Sequence, residues 1–279
     1  MQKWFKWRYV RHIFQALFLG AILNYSWAHH LIERGMPGKT GPIDCICPMG
    51  SFAMLLPQYL KQGGEFIRRS GNTNIVILVA FVLAILTFGG AFCGWMCPAG
   101  AVQEWLNRFR KLFWKKDIKI PYSVHKVLKW TRYAVLALIL VMTYLTADFW
   151  FKAIDPYNTL VTFGQEAFPW GHETSIVGLV IFIVLILTSL FIERPCQYAC
   201  PLSGIIHPVS KASAAGIVRN EDKCIDCGEC DSQCPYQIKI STVDKVNRGE
   251  CIQCLRCIDE CPVPGALEVG FGWATGGAR

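Results

Sequence analysis

Four apolar runs dominate the first two thirds of the chain, and the segments between them are polar or basic. The runs cover about residues 10–28, 74–92, 131–149 and 175–192. Because a helix needs roughly 20 apolar residues to cross the hydrocarbon core of a membrane, each run predicts a transmembrane helix. A bulky aromatic segment follows the first run in place of a small-residue cleavage site, so the pattern indicates an uncleaved helix and not a signal peptide.

Lysine and arginine are distributed unequally among the polar segments. The N-terminal leader, counted up to Arg11, carries four of them and residues 94–132 carry nine, whereas residues 150–174 carry one. Because basic segments stay on the cytoplasmic side of a membrane, the leader and residues 94–132 are expected inside and residues 150–174 outside. Both chain ends then face the cytoplasm, which predicts a multi-pass protein of the bacterial or archaeal cytoplasmic membrane.

The composition agrees with a membrane protein, since 53% of the residues are hydrophobic and only 17% are charged. The net charge of +8 is explained by the basic inner segments, so a nucleic-acid partner is not expected. The basic and aromatic stretch 105–119 predicts an amphipathic helix on anionic membrane lipid. No dinucleotide fingerprint and no P-loop occur in the sequence, so a nucleotide site is not expected.

Eight of the fourteen cysteines form two copies of one pattern, Cys-x2-Cys-x2-Cys-x3-Cys-Pro, near the C-terminus. This spacing is typical of paired 4Fe-4S clusters, in which the fourth cysteine of each run ligates the other cluster. The expected ligands, four per cluster, are Cys224, Cys227, Cys230 and Cys261 for the first and Cys251, Cys254, Cys257 and Cys234 for the second. Zinc or disulfides are the alternatives, but zinc does not need the full pattern and disulfides are rare in the cytoplasm.

Two further cysteine pairs directly follow the second and fourth apolar runs. They are Cys93 with Cys97 and Cys196 with Cys200, each in a Cys-x3-Cys-Pro motif. Side chains four positions apart share one face of a helical turn, and the proline limits how the helix continues. The four thiols could ligate one further iron-sulfur cluster. Redox-active dithiols and packing as small buried hydrophobes are the alternatives.

The last pair, Cys45 and Cys47, lies in the segment assigned to the outer side, just before a short apolar stretch at 52–60. That stretch is too short to span a membrane, so a re-entrant or interfacial element is expected. A helical turn does not aim two side chains in one direction at a separation of two. An outer cofactor site, an exposed thiol pair and a structural role therefore all remain open.

Histidines offer a weaker signal than the cysteines. His29 and His30 lie at the outer end of the first run, and imidazole can ligate haem iron or pass protons. Interfacial anchoring is favoured, because the nearest partner at the outer side is His172, in a loop. Three histidines near the inner face are expected to be solvated or bound to lipid headgroups, namely His12, His125 and His207.

Together these patterns predict a mainly α protein. Residues 1–202 are expected to form a four-helix transmembrane bundle that carries the Cys-Pro motifs. Residues 203–279 are expected to form a cytoplasmic α+β dicluster ferredoxin-like domain, with the small and polar residues 203–215 as a tether.

The whole set of motifs resembles the NapH-type ferredoxin-type quinol dehydrogenase subunits, which are polyferredoxin-like membrane iron-sulfur proteins. Besides the basic leader, the four runs and the paired ferredoxin motifs, the resemblance rests on Cys47-Pro48-Met49-Gly50, on Cys93-Gly94-Trp95-Met96-Cys97-Pro98-Ala99-Gly100 leading into Gln103-Glu104-Trp105, and on Cys196 to Gly204. Related membrane modules occur in nitrous-oxide reductase regulators and copper-oxidase assembly proteins. Cys45 departs from this pattern and leaves the outer site open.

The resemblance implies an iron-sulfur electron-transfer subunit that links a quinone pool with iron-sulfur, haem or flavin carriers. Such a subunit works with other subunits of a membrane redox complex and belongs to a quinol dehydrogenase-type oxidoreductase, which leaves open whether this chain is itself an enzyme. An assembly or maturation protein that reduces a metal ion or a thiol for a respiratory metalloenzyme is the alternative. A redox-sensing regulator is a third hypothesis.

Overall fold

The computed structural model describes residues 6–33, 72–113, 120–146, 176–246 and 248–272, together with residues 49, 151, 154, 155 and 159. These residues are mainly helical, and they include one small sheet. The chain divides into two compact units. The first unit contains Met1–Leu17, Val82–Ala101 and Ser203–Arg279, and the second contains Phe18–Phe81 and Val102–Leu202.

The apolar runs form helices over the described residues. These are α1 (Trp7–Glu33), α2 (Asn72–Phe88), α5 (Thr131–Thr146) and α6 (Ile176–Phe191). Apolar side chains such as Leu83 and Val180 are exposed on them, as expected of helices that face lipid. In the described ranges, one helical stretch, Tyr122–Thr146, is long and apolar enough to cross a membrane, and Ile75–Phe88 and Val177–Phe191 are apolar but shorter. Four crossings therefore stay a prediction.

The second apolar run ends as a helix four residues earlier than predicted. Gly89 has a φ of 62°, and a left-handed glycine ends a helix at little steric cost. The N–H of Gly89 donates to the carbonyl of Ile85 at 2.7 Å, and the N–H of Ala214 donates to the carbonyl of Leu86 at 2.8 Å. Both bonds satisfy carbonyl groups that a helix end leaves without partners.

Each Cys-x3-Cys-Pro motif forms a short turn that leads into a helix. The first Cys-Pro turn, residues 90–97, contains the π-helix Phe92–Met96, and the second Cys-Pro turn, residues 195–200, contains α7 (Cys196–Ala199). The helices that follow are α3 (Pro98–Phe113) and α8 (Pro201–Ser210). Proline suits the first position of a helix because its φ is already helical and its missing N–H is not needed there.

The expected tether at 203–215 is wrong, because most of this segment is helix or strand. Residues up to Ser210 belong to α8, and its side chains Ser203 and Ile206 are buried. Small and polar residues were a misleading signal, since their size lets a helix pack closely. A further short helix, α4 (Tyr122–Leu128), directly precedes α5 in the chain.

The C-terminal region has a two-stranded antiparallel sheet and two very short helices. Strand β1 (Ala215–Arg219) pairs with β2 (Leu267–Phe271), in a register that places Ala215 opposite Phe271 and Arg219 opposite Leu267. The helices are α9 (Glu229–Ser232) and α10 (Arg256–Asp259). The buried core contains Ile217, Ile240, Val246, Leu255, Leu267, Cys230 and Cys257. The predicted α+β character of this region agrees with these elements.

Candidate iron-sulfur sites

Four cysteines line one cavity of the C-terminal region. They are Cys224, Cys227 and Cys230 of the first ferredoxin motif and Cys261, the last cysteine of the second motif. This is the set that the sequence assigns to the first cluster. The mouth of the cavity is open, because Cys227 is exposed and the neighbouring Ile225 is 64% exposed.

The other four cysteines line a second cavity. Cys251, Cys254 and Cys257 of the second motif are joined there by Cys234, the last cysteine of the first motif. The structure thus gathers each predicted set of four around its own cavity. In the part of the chain that the structure describes, no three histidine, cysteine or carboxylate side chains converge closely enough to hold a single metal ion.

The two ferredoxin loops share an unusual backbone at equivalent positions. The residue before the second cysteine is left-handed in both, with a φ of 51° at Asp226 and 49° at Gln253. The residue after that cysteine is left-handed as well, with a φ of 70° at Gly228 and 58° at Leu255. Left-handed residues turn successive N–H groups to one side and create a concavity for an anion. Cysteine thiolates around such a concavity fit a 4Fe-4S cluster, whose sulfurs accept hydrogen bonds.

Burial changes the acid-base behaviour of these thiols. It raises the pKa of Cys230 and Cys234 to about 11 and that of Cys251 to about 12, and it raises the pKa of Cys257 as well. The cause is the loss of hydration that a thiolate suffers in an apolar surrounding. Iron binds the thiolate form, so loading these cysteines with iron releases protons.

A half-buried carboxylate fixes the chain beside the first cavity. Asp231 accepts hydrogen bonds from the N–H and the hydroxyl of Ser241, at 2.9 and 2.6 Å, and from the N–H of Ile240. Burial by itself raises the pKa of Asp231, but these bonds outweigh it and lower the pKa overall. Asp231 thereby ties α9 to the segment that continues from the first motif.

The first Cys-Pro turn packs against the second ferredoxin loop, and both belong to the first compact unit. Its π-helical hydrogen bond runs from the N–H of Cys97 to the carbonyl of Phe92 at 2.9 Å. The indole N–H of Trp95 donates to the carbonyl of Gln253 at 2.9 Å. Gly94 is buried, and its carbonyl accepts a 2.9 Å hydrogen bond from the side chain of Gln15.

The N-terminal helix also contacts the ferredoxin region of this unit. The N–H groups of Trp7 and Arg8 both donate to the carboxylate of Asp259 at 2.8 Å. An acidic group at this position satisfies free N–H groups and favours the helix dipole. Arg11, fully buried, donates to the carbonyl of Cys254. This support explains why α1 begins three residues before the apolar run.

The second Cys-Pro turn has a polar surrounding in the second unit. Its α-helical hydrogen bond joins the N–H of Cys200 to the carbonyl of Cys196 at 3.0 Å. The amide of Gln103 donates to the sulfur of Cys196 at 2.9 Å. One position along, Glu104 is fully buried and pairs with Arg194, which is 3% exposed, at 2.6 Å.

Sequence reasoning missed several residues of this second site. Arg194 and Tyr198 were not singled out, and Gln103 and Glu104 entered only through the resemblance. The expectation that His125 and His207 are solvated or bound to headgroups is wrong, since both are buried within the protein. His125 shares a 2.6 Å hydrogen bond with the hydroxyl of Tyr198. One usable signal was Glu104, an acidic residue within a strongly basic segment. An isolated acidic residue of this kind suggests an ion pair with a basic partner elsewhere in the fold.

The remaining predicted positions lie at the edge of the described structure. Cys45, Cys47 and His172 fall outside the described residues. His29 and His30 are part of helix α1, but the structure describes only their backbone and not their side chains. Cys93 and Cys97 lie in the first compact unit and Cys196 and Cys200 in the second, so a cluster shared by the two pairs stays a prediction.

Two family models match the chain at its cysteine motifs. A model described as a 4Fe-4S binding domain matches twice, at residues 73–117 and 174–218. A model described as a 4Fe-4S dicluster domain matches residues 216–262. The first two matches each contain an apolar helix, a Cys-Pro turn and the helix that follows, so these segments are repeats of one unit.

Curated relatives cover much of the chain. It is 32% identical over 200 residues to the uncharacterized protein MJ0750 of Methanocaldococcus jannaschii, which covers 71% of this chain and 76% of that protein. It is 29% identical over 179 residues to YccM of Escherichia coli, with 63% of this chain and 50% of that protein covered. It is 24% identical over 233 residues to the ferredoxin-type protein NapH of Escherichia coli, with 82% and 75% covered.

The chain thus spans half the length of YccM and about three quarters of the other two. No solved structure gives a significant match. The family resemblance indicated by the sequence motifs is confirmed by these relatives and by both iron-sulfur models. The chain belongs to the ferredoxin-type membrane iron-sulfur proteins, the family that includes NapH and YccM.

Proposed function

We propose that this protein is an electron-transfer subunit of a membrane redox complex, which exchanges single electrons between a quinone pool and iron-sulfur, haem or flavin carriers. The observation that carries the proposal is the gathering of two sets of four cysteines around two separate cavities. A 4Fe-4S cluster supplies reversible one-electron chemistry. The ferredoxin-type name of NapH supports the same activity.

The chain's own residues would hold and orient these clusters. Cys224, Cys227, Cys230 and Cys261 would supply one set of thiolates, and the second cavity's cysteines the other. The left-handed residues of both loops would direct backbone N–H groups toward the sulfurs of a bound cluster. Apolar side chains such as Ile217 and Leu255, which belong to the common core, keep water away from the second site.

We extend the proposal to the membrane-facing cysteines. Cys93, Cys97, Cys196 and Cys200 would provide thiolates for further iron-sulfur chemistry, because a 4Fe-4S binding model matches both Cys-Pro turns. Cys45 and Cys47 would serve an outer site. Electron transfer across the membrane would need redox centres near both faces, since the hydrocarbon core is about 30 Å thick. The same proposal places four helices across the membrane with both chain ends in the cytoplasm.

Anaerobic purification of the full chain, with iron and sulfide counting and electron paramagnetic resonance, tests the number of clusters. About eight irons per chain would correspond to two four-iron clusters, about ten to an additional two-iron centre and about twelve to a third four-iron one. Cys196→Ser should remove only the signal beyond the two ferredoxin clusters. A protein without iron after anaerobic purification would contradict the proposed electron-transfer function.

A second experiment tests the quinone link. The dithionite-reduced protein in lipid nanodiscs should be reoxidised by a water-soluble quinone analogue, with the cluster signals disappearing in proportion to quinone reduced. Protein denatured before quinone addition serves as the control. Iron-loaded protein that stays reduced would refute the quinone link and favour the assembly hypothesis, in which a metal ion or a thiol is reduced instead.

A further inference from the structure

We infer that electrons pass between the first Cys-Pro turn and the ferredoxin region through the Cys251–Cys257 loop, and that Gly90, Gly94 and Trp95 position the two segments for this transfer. The inference rests on the proposed function, because it needs iron-sulfur centres at both segments. In each transfer one electron leaves the centre on one side, which is oxidised, and reduces the centre on the other. No bond forms or breaks, and no proton is required.

The two segments touch through their backbones. A Cβ atom added to Gly90 would lie 2.6 Å from the carbonyl oxygen of Cys251, and one added to Gly94 would overlap the carbonyl oxygen of Ile252. Real Cβ atoms do not approach other atoms so closely, so both positions require glycine. The Cβ position of Gly94 is also only 3.7 Å from the Cα of Cys254. A larger residue at either glycine has to separate the turn from the loop.

Three side-chain hydrogen bonds hold the contact in one register. Trp95 donates to the carbonyl of Gln253, between the first two cysteines of the loop. Gln15 donates to the carbonyl of Gly94, and Arg11 donates to the carbonyl of Cys254. Gln15 and Arg11 are buried, where a hydrogen bond is shielded from competing water. The π-helical turn presents Trp95 toward the loop, in keeping with the frequent use of such turns at functional sites.

The first ferredoxin loop is placed differently. Cys227 and Ile225 are exposed, and a Cβ atom at Gly228 would meet nothing within 4 Å. Cys254, which takes the place of Cys227 in the second loop, is only partly exposed, and the backbone of this loop accepts the hydrogen bond from Trp95. The second loop is therefore the one in contact with the Cys-Pro turn. The first loop faces the solvent, where a soluble carrier can approach it.

Freeze-quench paramagnetic resonance on the full, iron-loaded chain in nanodiscs tests this order. A quinol analogue is mixed with oxidised Gly94→Ala protein, and the reduction of each ferredoxin signal is followed in time. Cys254→Ser and Cys227→Ser identify which signal belongs to which loop. Gly94→Ala should slow the reduction of both ferredoxin signals and shift the midpoint potential of the Cys254 signal alone. Gly272→Ala, at a glycine with nothing within 4 Å, should leave rates and potentials unchanged.

A milder variant keeps the inference testable if Gly94→Ala does not fold. Trp95→Phe removes the hydrogen bond to Gln253 and keeps a smaller aromatic ring that can pack against Phe14, whose ring centroid lies 6.1 Å from that of Trp95. It should shift the same potential, whereas Trp130→Phe, at an exposed position, should not. A shift confined to the Cys227 signal, or unchanged reduction rates in both turn variants, would overturn the inference. Both ferredoxin signals would still be present in that case, so the proposed function would stand.

Discussion

The two Cys-Pro turns share one sequence pattern but differ in structure and surroundings. Both place the second cysteine in extended conformation before a proline that begins a helix, as a residue before proline requires. The first turn is π-helical, is lined by glycine and contacts backbone. The second is α-helical and contacts the side chains of Gln103 and His125. The comparison shows that cysteine spacing decides where a helix restarts, whereas the packing around the turn decides what its sulfurs meet.

The buried ion pair beside the second turn gives the strongest test of this difference. Glu104→Gln should lower the free energy of unfolding by about 3–5 kcal/mol, because it leaves Arg194 buried without its full counter-charge. The loss is measured as reduced stability to denaturant in detergent. Glu193→Gln is the control, since its pair with Lys111 is partly exposed at 3.9 Å and worth about 0–1 kcal/mol. Equal losses in both variants would contradict the assigned burial.

Substitutions in the first turn should lower the folding stability through steric crowding and not through loss of an ion pair. Gly94→Ala is expected to cost about 1–3 kcal/mol, because the added methyl group forces the second ferredoxin loop away. Thermal unfolding of the iron-loaded protein measures the change. Gly272→Ala should unfold at the wild-type temperature. Unaltered stability in Gly94→Ala would mean that the contact is looser than the structure shows.

The hydroxyl of Tyr198 links the second turn to α4. Tyr198→Phe should cost about 1 kcal/mol, because the buried ring nitrogen of His125 loses its 2.6 Å hydrogen bond. Tyr122→Phe, at an exposed tyrosine near the same histidine, is the matched control. The same denaturant titration compares the two, and the iron content should not differ between them.

The smallest effect on stability, and the most specific one on redox chemistry, is expected at Gln103. Gln103→Leu removes the hydrogen bond to the sulfur of Cys196, which should lower the midpoint potential of the signal that Cys196→Ser abolishes. Asn107→Leu removes a buried amide from the same helix, where it donates to the carbonyl of Ser189. If both variants shift the potential equally, Gln103 acts through the fold and not on the sulfur.

The ferredoxin cysteines were accessible from sequence because their arrangement is local. Each motif spans only a few residues, and its left-handed backbone positions recur at Asp226 and Gln253. Spacing also located both Cys-Pro turns and the helices around them. The tether and the solvated histidines were wrong, because small residues in α8 and His125 look polar in sequence yet are buried by distant segments.

The sequence by itself determined the apolar helices, the cysteine motifs and the family, since all three depend on residue types at short, regular spacings. Only the tertiary structure decided what each turn touches. Glu104 meets Arg194 across 90 positions, and Trp95 meets Gln253 across 158. Such pairs have no local sequence pattern, because their partners are far apart in the chain. A buried charge, or a glycine packed against a carbonyl group, can be identified only after folding has brought the two partners together.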